Sequence, residues 1–224
     1  MPRQDSDRPT LTGQAEDYLK AIYELEQHGE AAGTNDIAAR LSIAPASVTG
    51  MIQRLARLGL VESERYRGAR LTDAGRTAAL QLIRRHRIIE SYLVQRLGFG
   101  WEHVHDEAER LEHAASDELI ARMAAAIGNP TQDPHGAPIP SADGRVDETR
   151  LASLDGLRIG ATATVRRMSD REPDFLRYLD ELGIRPGATV RVLRREPFDG
   201  PITVEVDGVS RSIGASAAAR VFIG

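Results

Sequence analysis

Cysteine is absent from the 224 residues, which removes disulfides, thiolate zinc sites and cysteine nucleophiles at one stroke. Aromatics are scarce: four Phe, five Tyr and one Trp. That is too few for a surface that stacks single-stranded nucleic acid, although 41% apolar residues still allow a core of aliphatic helix packing. No apolar run approaches the roughly 18 residues a membrane span needs. The opening MPRQDSDRPT lacks the apolar centre of a signal peptide, so the expected setting is the cytoplasm, with no membrane. Also missing are HExxH, a nucleophile elbow and a phosphate loop, so neither an enzyme nor a small-molecule substrate is expected. There is no internal repeat and no low-complexity segment.

The net charge of −4 argues weakly against nucleic acid until its distribution is read. Residues 40 to 87 hold ten basic and three acidic side chains, an excess of +7, whereas residues 91 to 150 hold five basic and eleven acidic, or −6. A basic segment followed by an acidic one suits a polyanion-binding module joined to a part that takes cations.

After the polar arm, Ala15, Tyr18, Leu19, Ile22, Tyr23 and Leu25 fall near helical spacing over 12 to 27, with Thr12 as N-cap. A short helix is expected near 35 to 41. After Ser42-Ile43-Ala44 a third opens on Pro45, a first-turn residue, and closes at Gly59. VESERYRGARLT reads as a two-stranded hairpin. Thr72 caps a long helix to about Leu97, and one further helix is expected from 101 to 127. Residues 129 to 150, rich in Pro, Gly and Asp, read as a linker. Beyond Leu151 the strings ATATVRRM, ATVRVLRR, ITVEVDG and ARVFIG alternate as short strands around one helix, DFLRYLDELGI; a small β-barrel follows. The predicted fold is therefore mainly α over its N-terminal two-thirds, a winged helix-turn-helix plus a helical domain, with a C-terminal barrel. Its domains are 1–74, 75–128, a linker 129–150, and 151–224.

A short helix, a tight turn, a longer helix and a basic hairpin are the parts of a winged helix-turn-helix, whose second helix enters the major groove of double-stranded DNA while the wing follows the phosphates. With the apolar set of the third helix on one face, Pro45, Ala46, Ser47, Thr49, Gly50, Gln53, Arg54 and Arg57 are left for the duplex, and Arg65, Arg67 and Arg70 for the wing. Further on, HVHDEAERLEH places His105, Glu109, Glu112 and His113 at i, i+4, i+7 and i+8, one stripe of a helix. The preceding helix adds His86 and Glu90 at i, i+4. Imidazole and carboxylate donors without thiolate suit Mn2+ or Fe2+, with Zn2+, Co2+ or Cd2+ as substitutes in vitro. His28, His103 and His135 read as structural or surface residues.

The strings AEDYLKAIYEL, APASVTGMIQRLARLGLVESERYRGARLTDAGR, RRHRIIE, HVHDEAERLEH and NPTQDPHGAPIP together resemble the diphtheria toxin repressor family, and within it the manganese transport regulators, over almost the whole chain. LGIRPGATVRVLRREPFDGPITVEVDG is similar to the SH3-like domain of ferrous-transport accessory proteins. The resemblance implies a homodimer that binds a palindromic operator and represses metal-uptake genes when metal is sufficient. Control of efflux genes and an iron-dependent repressor are the alternatives within the family. It implies a primary metal site of Asp17, Glu109, Glu112 and His113, and a second of His86, Glu90 and His105, closed by Asp170 or Glu172 of the barrel. Where iron-responsive members carry a methionine and a cysteine, this chain has Asp17 and Glu109, which tilts the choice toward manganese. Lys20, where some manganese members carry a glutamate, favours separate sites over a paired cluster. The rival of another class, a di-iron or hydrolytic metalloenzyme, is weakened because every proposed ligand is taken by coordination and no general base is left.

Overall fold

The computed structural model describes residues 11–27, 29, 31–64, 68–169 and 172–224. Arg65, Arg67, Asp170 and His28 lie outside the described residues. Eight α-helices are present among them: α1 (Gly13–Glu26), α2 (Thr34–Arg40), α3 (Pro45–Arg57), α4 (Asp73–Leu97), α5 (Val104–Glu112), α6 (Asp117–Ala126), α7 (Pro173–Glu181) and α8 (Ala215–Ala218). The strands are β1 (Val61–Glu64), β2 (Gly68–Leu71), β3 (Ala152–Ser153), β4 (Thr162–Met168), β5 (Thr189–Arg195), β6 (Ile202–Val206), β7 (Val209–Ile213) and β8 (Val221–Ile223). No described helix is long and apolar enough to cross a membrane.

The chain divides into two compact units, one running to Arg84 and taking in Pro140–Arg145, the other formed by Arg85–Ile139 and Val146–Gly224. In the first unit, α1 buries Tyr18, Leu19 and Ile22, α2 buries Ile37 and Ala38, and α3 buries Val48, Ile52 and Leu55. Thr12 begins α1 by accepting from the Ala15 amide, and Thr72 does the same for α4 with the Gly75 amide at 3.1 Å. β1 and β2 pair antiparallel, with Val61 opposite Leu71. Gly68 starts β2 at φ +103, so close to the Ala32 carbonyl that a Cβ would stand 2.4 Å from its oxygen. Only glycine tolerates that conformation and that approach, and Ala32 and Ala69 exchange main-chain hydrogen bonds of 2.9 Å beside it.

In the second unit, Ile88, Ile89 and Leu93 of α4 pack with Val104 and Ala108 of α5 and Ile120 and Ala124 of α6. The single helix expected over 101 to 127 is two. Ser116 caps α6 by accepting from the Leu119 amide at 3.2 Å, and Asp117 and Glu118 occupy its first turn, where negative charge suits the exposed N–H groups. The start signal sat inside a run of good helix formers and was read through. The C-terminal part is an antiparallel six-stranded sheet of order β3-β8-β4-β5-β6-β7, around a core of Val165, Val190, Val192, Ile202, Val204 and Ile213, closed by Leu176 and Leu179 of α7. β3 and β7, absent from the sequence reading, lie at the two edges of that order.

Candidate metal centre and nucleic-acid interface

α4 and α5 bring their histidines and carboxylates together inside the second unit. Both ring nitrogens of His86 face carboxylates: Nδ1 lies 2.6 Å from Glu112 Oε2 and Nε2 lies 3.0 Å from Glu90 Oε1. His105 Nδ1 is 3.1 Å from His86 Nε2 and 3.3 Å from Glu90 Oε1, its ring edge-on to that of His86. Glu109 Oε1 stands 3.7 Å from His86 Nδ1 and 3.9 Å from His105 Nε2. His86, His105 and Glu109 each offer one donor atom within 4.8 Å of the others. Glu112 is fully buried, and its Oε1 lies 3.6 Å from His113 Nε2. The helical spacing put these groups on one stripe, and the fold turns that stripe toward α4. Asp17 is a half-buried residue of α1, in the first unit.

Glu90, like Glu112, is fully buried. Burial on its own would raise its pKa. The charge on His86 and the hydrogen bonds from His105 and His86 outweigh that effect and hold the carboxyl below its usual range. Its second oxygen, Oε2, has no hydrogen-bond partner among the described residues, and neither does His135 Nδ1. Glu90, Asp133 and His135 form a wholly buried trio with donor atoms within 4.8 Å. His135 Nε2 lies 2.7 Å from the Trp101 carbonyl. A carbonyl only accepts, so Nε2 carries the proton and Nδ1 presents a lone pair to the carboxylates. Asp133 is held by the His135 and Ala137 amides, both 2.9 Å from Oδ1, and by Arg87 at 3.3 Å from Oδ2. Two unpartnered acceptor atoms within one buried trio fit a cation and disfavour a dry void.

His135 was expected to be structural and Asp133 to lie in a linker. The signal that marks them is DPHG, a turn closed by the Gly136 amide donating to the Asp133 carbonyl at 3.1 Å and by the His135 amide donating to Asp133 Oδ1, which keeps the two side chains close. Asp170 or Glu172 was expected to close the second site, and of the two only Glu172 lies among the described residues. Instead its carboxylate pairs with Arg220 at 3.1 Å and is largely exposed, drawn there by a guanidinium that also lies over the Phe175 ring.

On α3 the outward set is as the apolar spacing requires. Pro45, Ala46, Ser47, Thr49, Gly50, Gln53, Arg54 and Arg57 are all exposed, opposite buried Val48, Ile52 and Leu55. Arg70 is exposed on β2.

A winged helix with a bare polar face, a helical cluster of histidines and carboxylates and a small C-terminal sheet define the class of multidomain metal-dependent regulators. Family models agree piece by piece: "Iron dependent repressor, N-terminal DNA binding domain" over residues 10–69, "Iron dependent repressor, metal binding and dimerisation domain" over 72–141, and "FeoA domain" over 152–224. The chain belongs to the iron-dependent, or diphtheria toxin, repressor family, whose members are transcriptional repressors and not enzymes. It is 32% identical to the iron-dependent repressor IdeR of Mycobacterium tuberculosis, covering 88% of this chain and 90% of that one. The diphtheria toxin repressor of Corynebacterium diphtheriae is 33% identical, with 88% and 91% covered. Among solved structures, a manganese-dependent transcriptional repressor in complex with manganese superposes with a TM-score of 0.85 at 42% identity, over 93% of this chain and 98% of that one. ScaR with bound Cd2+ gives 0.81 at 32%, over 94% and 98%.

Proposed function

We propose that this protein is a Mn2+-responsive transcriptional repressor that binds palindromic operator DNA as a homodimer and represses metal-uptake genes when the metal is sufficient. The observation that carries the metal reading is the buried face of Glu90, where Oε2 and His135 Nδ1 lack hydrogen-bond partners among the described residues. The donors are imidazole and carboxylate throughout, in a chain without cysteine, and a set free of sulfur suits Mn2+ better than a softer ion. Fe2+ is the second reading, favoured by the iron-dependent repressors among the relatives.

The primary position is assigned, on the family resemblance, to Asp17, Glu109, Glu112 and His113. When bound there, a divalent cation supplies the positive charge that lets the carboxylates of α5 and Asp17 of α1 share one partner. The second position is assigned to Glu90, which has His86 and His105 on Oε1 and shares a buried trio with Asp133 and His135. The chain's own residues do the rest. His86 holds Glu112 and Glu90 in place, Trp101 fixes the tautomer of His135, and α3 with Arg70 presents the face that meets the duplex. Linking α1 to the helical domain narrows the positions open to the recognition helices of a dimer, which must lie one duplex turn, about 34 Å, or a multiple apart. A coupling of about 1–3 kcal/mol is expected, and reciprocity requires operator DNA to tighten metal binding by the same factor. Leu97, Phe99, Leu111 and Leu119, large apolar residues exposed on the helical part, support the dimer. A gel-shift titration tests the whole: retardation that appears with Mn2+ and vanishes with chelator is expected, and binding indifferent to chelator rejects metal control.

A further inference from the structure

Gly50 stands in the middle of α3, where a glycine weakens a helix relative to alanine. Usually such a residue has a packing reason. Gly75 of α4 shows one: a Cβ there would stand 1.9 Å from the Leu60 carbonyl oxygen. Gly50 shows none, because a Cβ built on it meets nothing within 4 Å, and its φ is that of an ordinary helical residue. Nothing within the described residues asks for the missing side chain. Its position on the helix does. Residues at i−4, i+3, i+4 and i+7 share its face, and these are Ala46, Gln53, Arg54 and Arg57, all exposed. The buried residues Val48, Ile52 and Leu55 lie on the opposite side.

We propose that Gly50 is a specificity-determining residue, and that the gap left by its absent side chain admits the C5 methyl group of a thymine in the major groove. The inference rests on the DNA-binding reading above. The helix interior has committed its N–H and C=O groups to itself, so the surface offered at Gly50 is CαH2, apolar and without a donor. Among base edges in the major groove the thymine methyl is the apolar one. Gln53, Arg54 and Arg57 alongside supply polar and phosphate contacts that hold the helix at that depth.

The test is a bump-and-hole exchange on the full-length, Mn2+-loaded protein. An operator is first selected from random duplexes by the wild type. Each thymine is then replaced by uracil, which lacks only the methyl. For the wild type, one position per half-site should lose about fourfold in affinity, the value of one buried methyl group. Gly50→Ala should melt about 2–4 °C higher, yet bind the thymine operator about fivefold or more weakly. It should recover on the operator with uracil at that one position, while binding to non-specific duplex stays unchanged. Wild-type affinity in Gly50→Ala, or a loss that no uracil exchange repairs, would overturn the proposal alone. Failure of the wild type to select any duplex would overturn the DNA-binding reading and the gap with it.

Discussion

Replacing Glu90 with Gln separates a structural carboxylate from a cation ligand. The substitution keeps the shape and leaves an oxygen facing His86 and His105. The two contacts at 3.0 and 3.3 Å become neutral hydrogen bonds, a loss of about 2 kcal/mol in all. On the other side the new amide N–H2 replaces Oε2, an atom with no hydrogen-bond partner among the described residues; His135 Nδ1, in the same buried trio, is an acceptor in the same condition. Removing one unpartnered acceptor and offering a donor to the other returns about 1–2 kcal/mol. The metal-free variant should therefore lie within about 1 kcal/mol of wild type. The ligand, however, is gone. At a free Mn2+ concentration 100 times Kd one site stabilises by about 2.7 kcal/mol, worth about 5–11 °C in a chain of this size. Glu90→Gln should lose that shift, and isothermal titration should count one ion fewer per chain. The reasoning is refuted if the metal-free variant is destabilised by more than about 3 kcal/mol while the Mn2+ shift and the stoichiometry stay at wild-type values.

Three further outcomes follow from the same structure. Glu90 is held below its ordinary pKa of 4.5, so its ionised form stabilises the fold above that pH and the contribution fades as pH falls below it; urea midpoints of the metal-free protein should drop more between pH 6 and pH 3 for wild type than for Glu90→Gln. Gly68→Ala forces a Cβ onto the Ala32 carbonyl at a φ that side chains avoid and should cost about 1–3 kcal/mol, read as a lower melting temperature together with weaker operator binding from a displaced wing. Arg54→Ala or Arg57→Ala should weaken specific and non-specific duplexes alike and lower the slope of log K against log salt by about 0.9 for each phosphate contact removed; an unchanged slope would take that arginine off the backbone.

Periodicity carried much of the fold because the elements that matter are amphipathic. Val48, Ile52 and Leu55 mark one face of α3 so clearly that Gln53, Arg54 and Arg57 had to point outward, as they do. The i, i+4 pairs His86–Glu90 and His105–Glu109 likewise fell on single helix faces, and α4 and α5 present those faces to each other. What could not be read was set by tertiary contact or by a local signal inside a uniform run. The break between α5 and α6 depends on the Ser116 cap, which follows two alanines that could equally continue a helix. Asp133 and His135 lie in a proline-rich stretch with no period, and their role appears only where Trp101 and Arg87 hold them against Glu90. Glu172 pairs with Arg220 at 3.1 Å, a partner 48 residues on that no periodicity could reveal.

The central claim is that a divalent cation held by Asp17 together with the carboxylates and histidine of α5 licenses operator binding. Anisotropy of a labelled operator duplex, titrated with Mn2+ for wild type and Asp17→Ala, tests it most directly. The account predicts that wild type binds only with Mn2+, is released by chelator, and that Asp17→Ala stays folded but loses the response to the metal. Full Mn2+-dependent binding by Asp17→Ala, or wild-type binding that chelator leaves untouched, would contradict it.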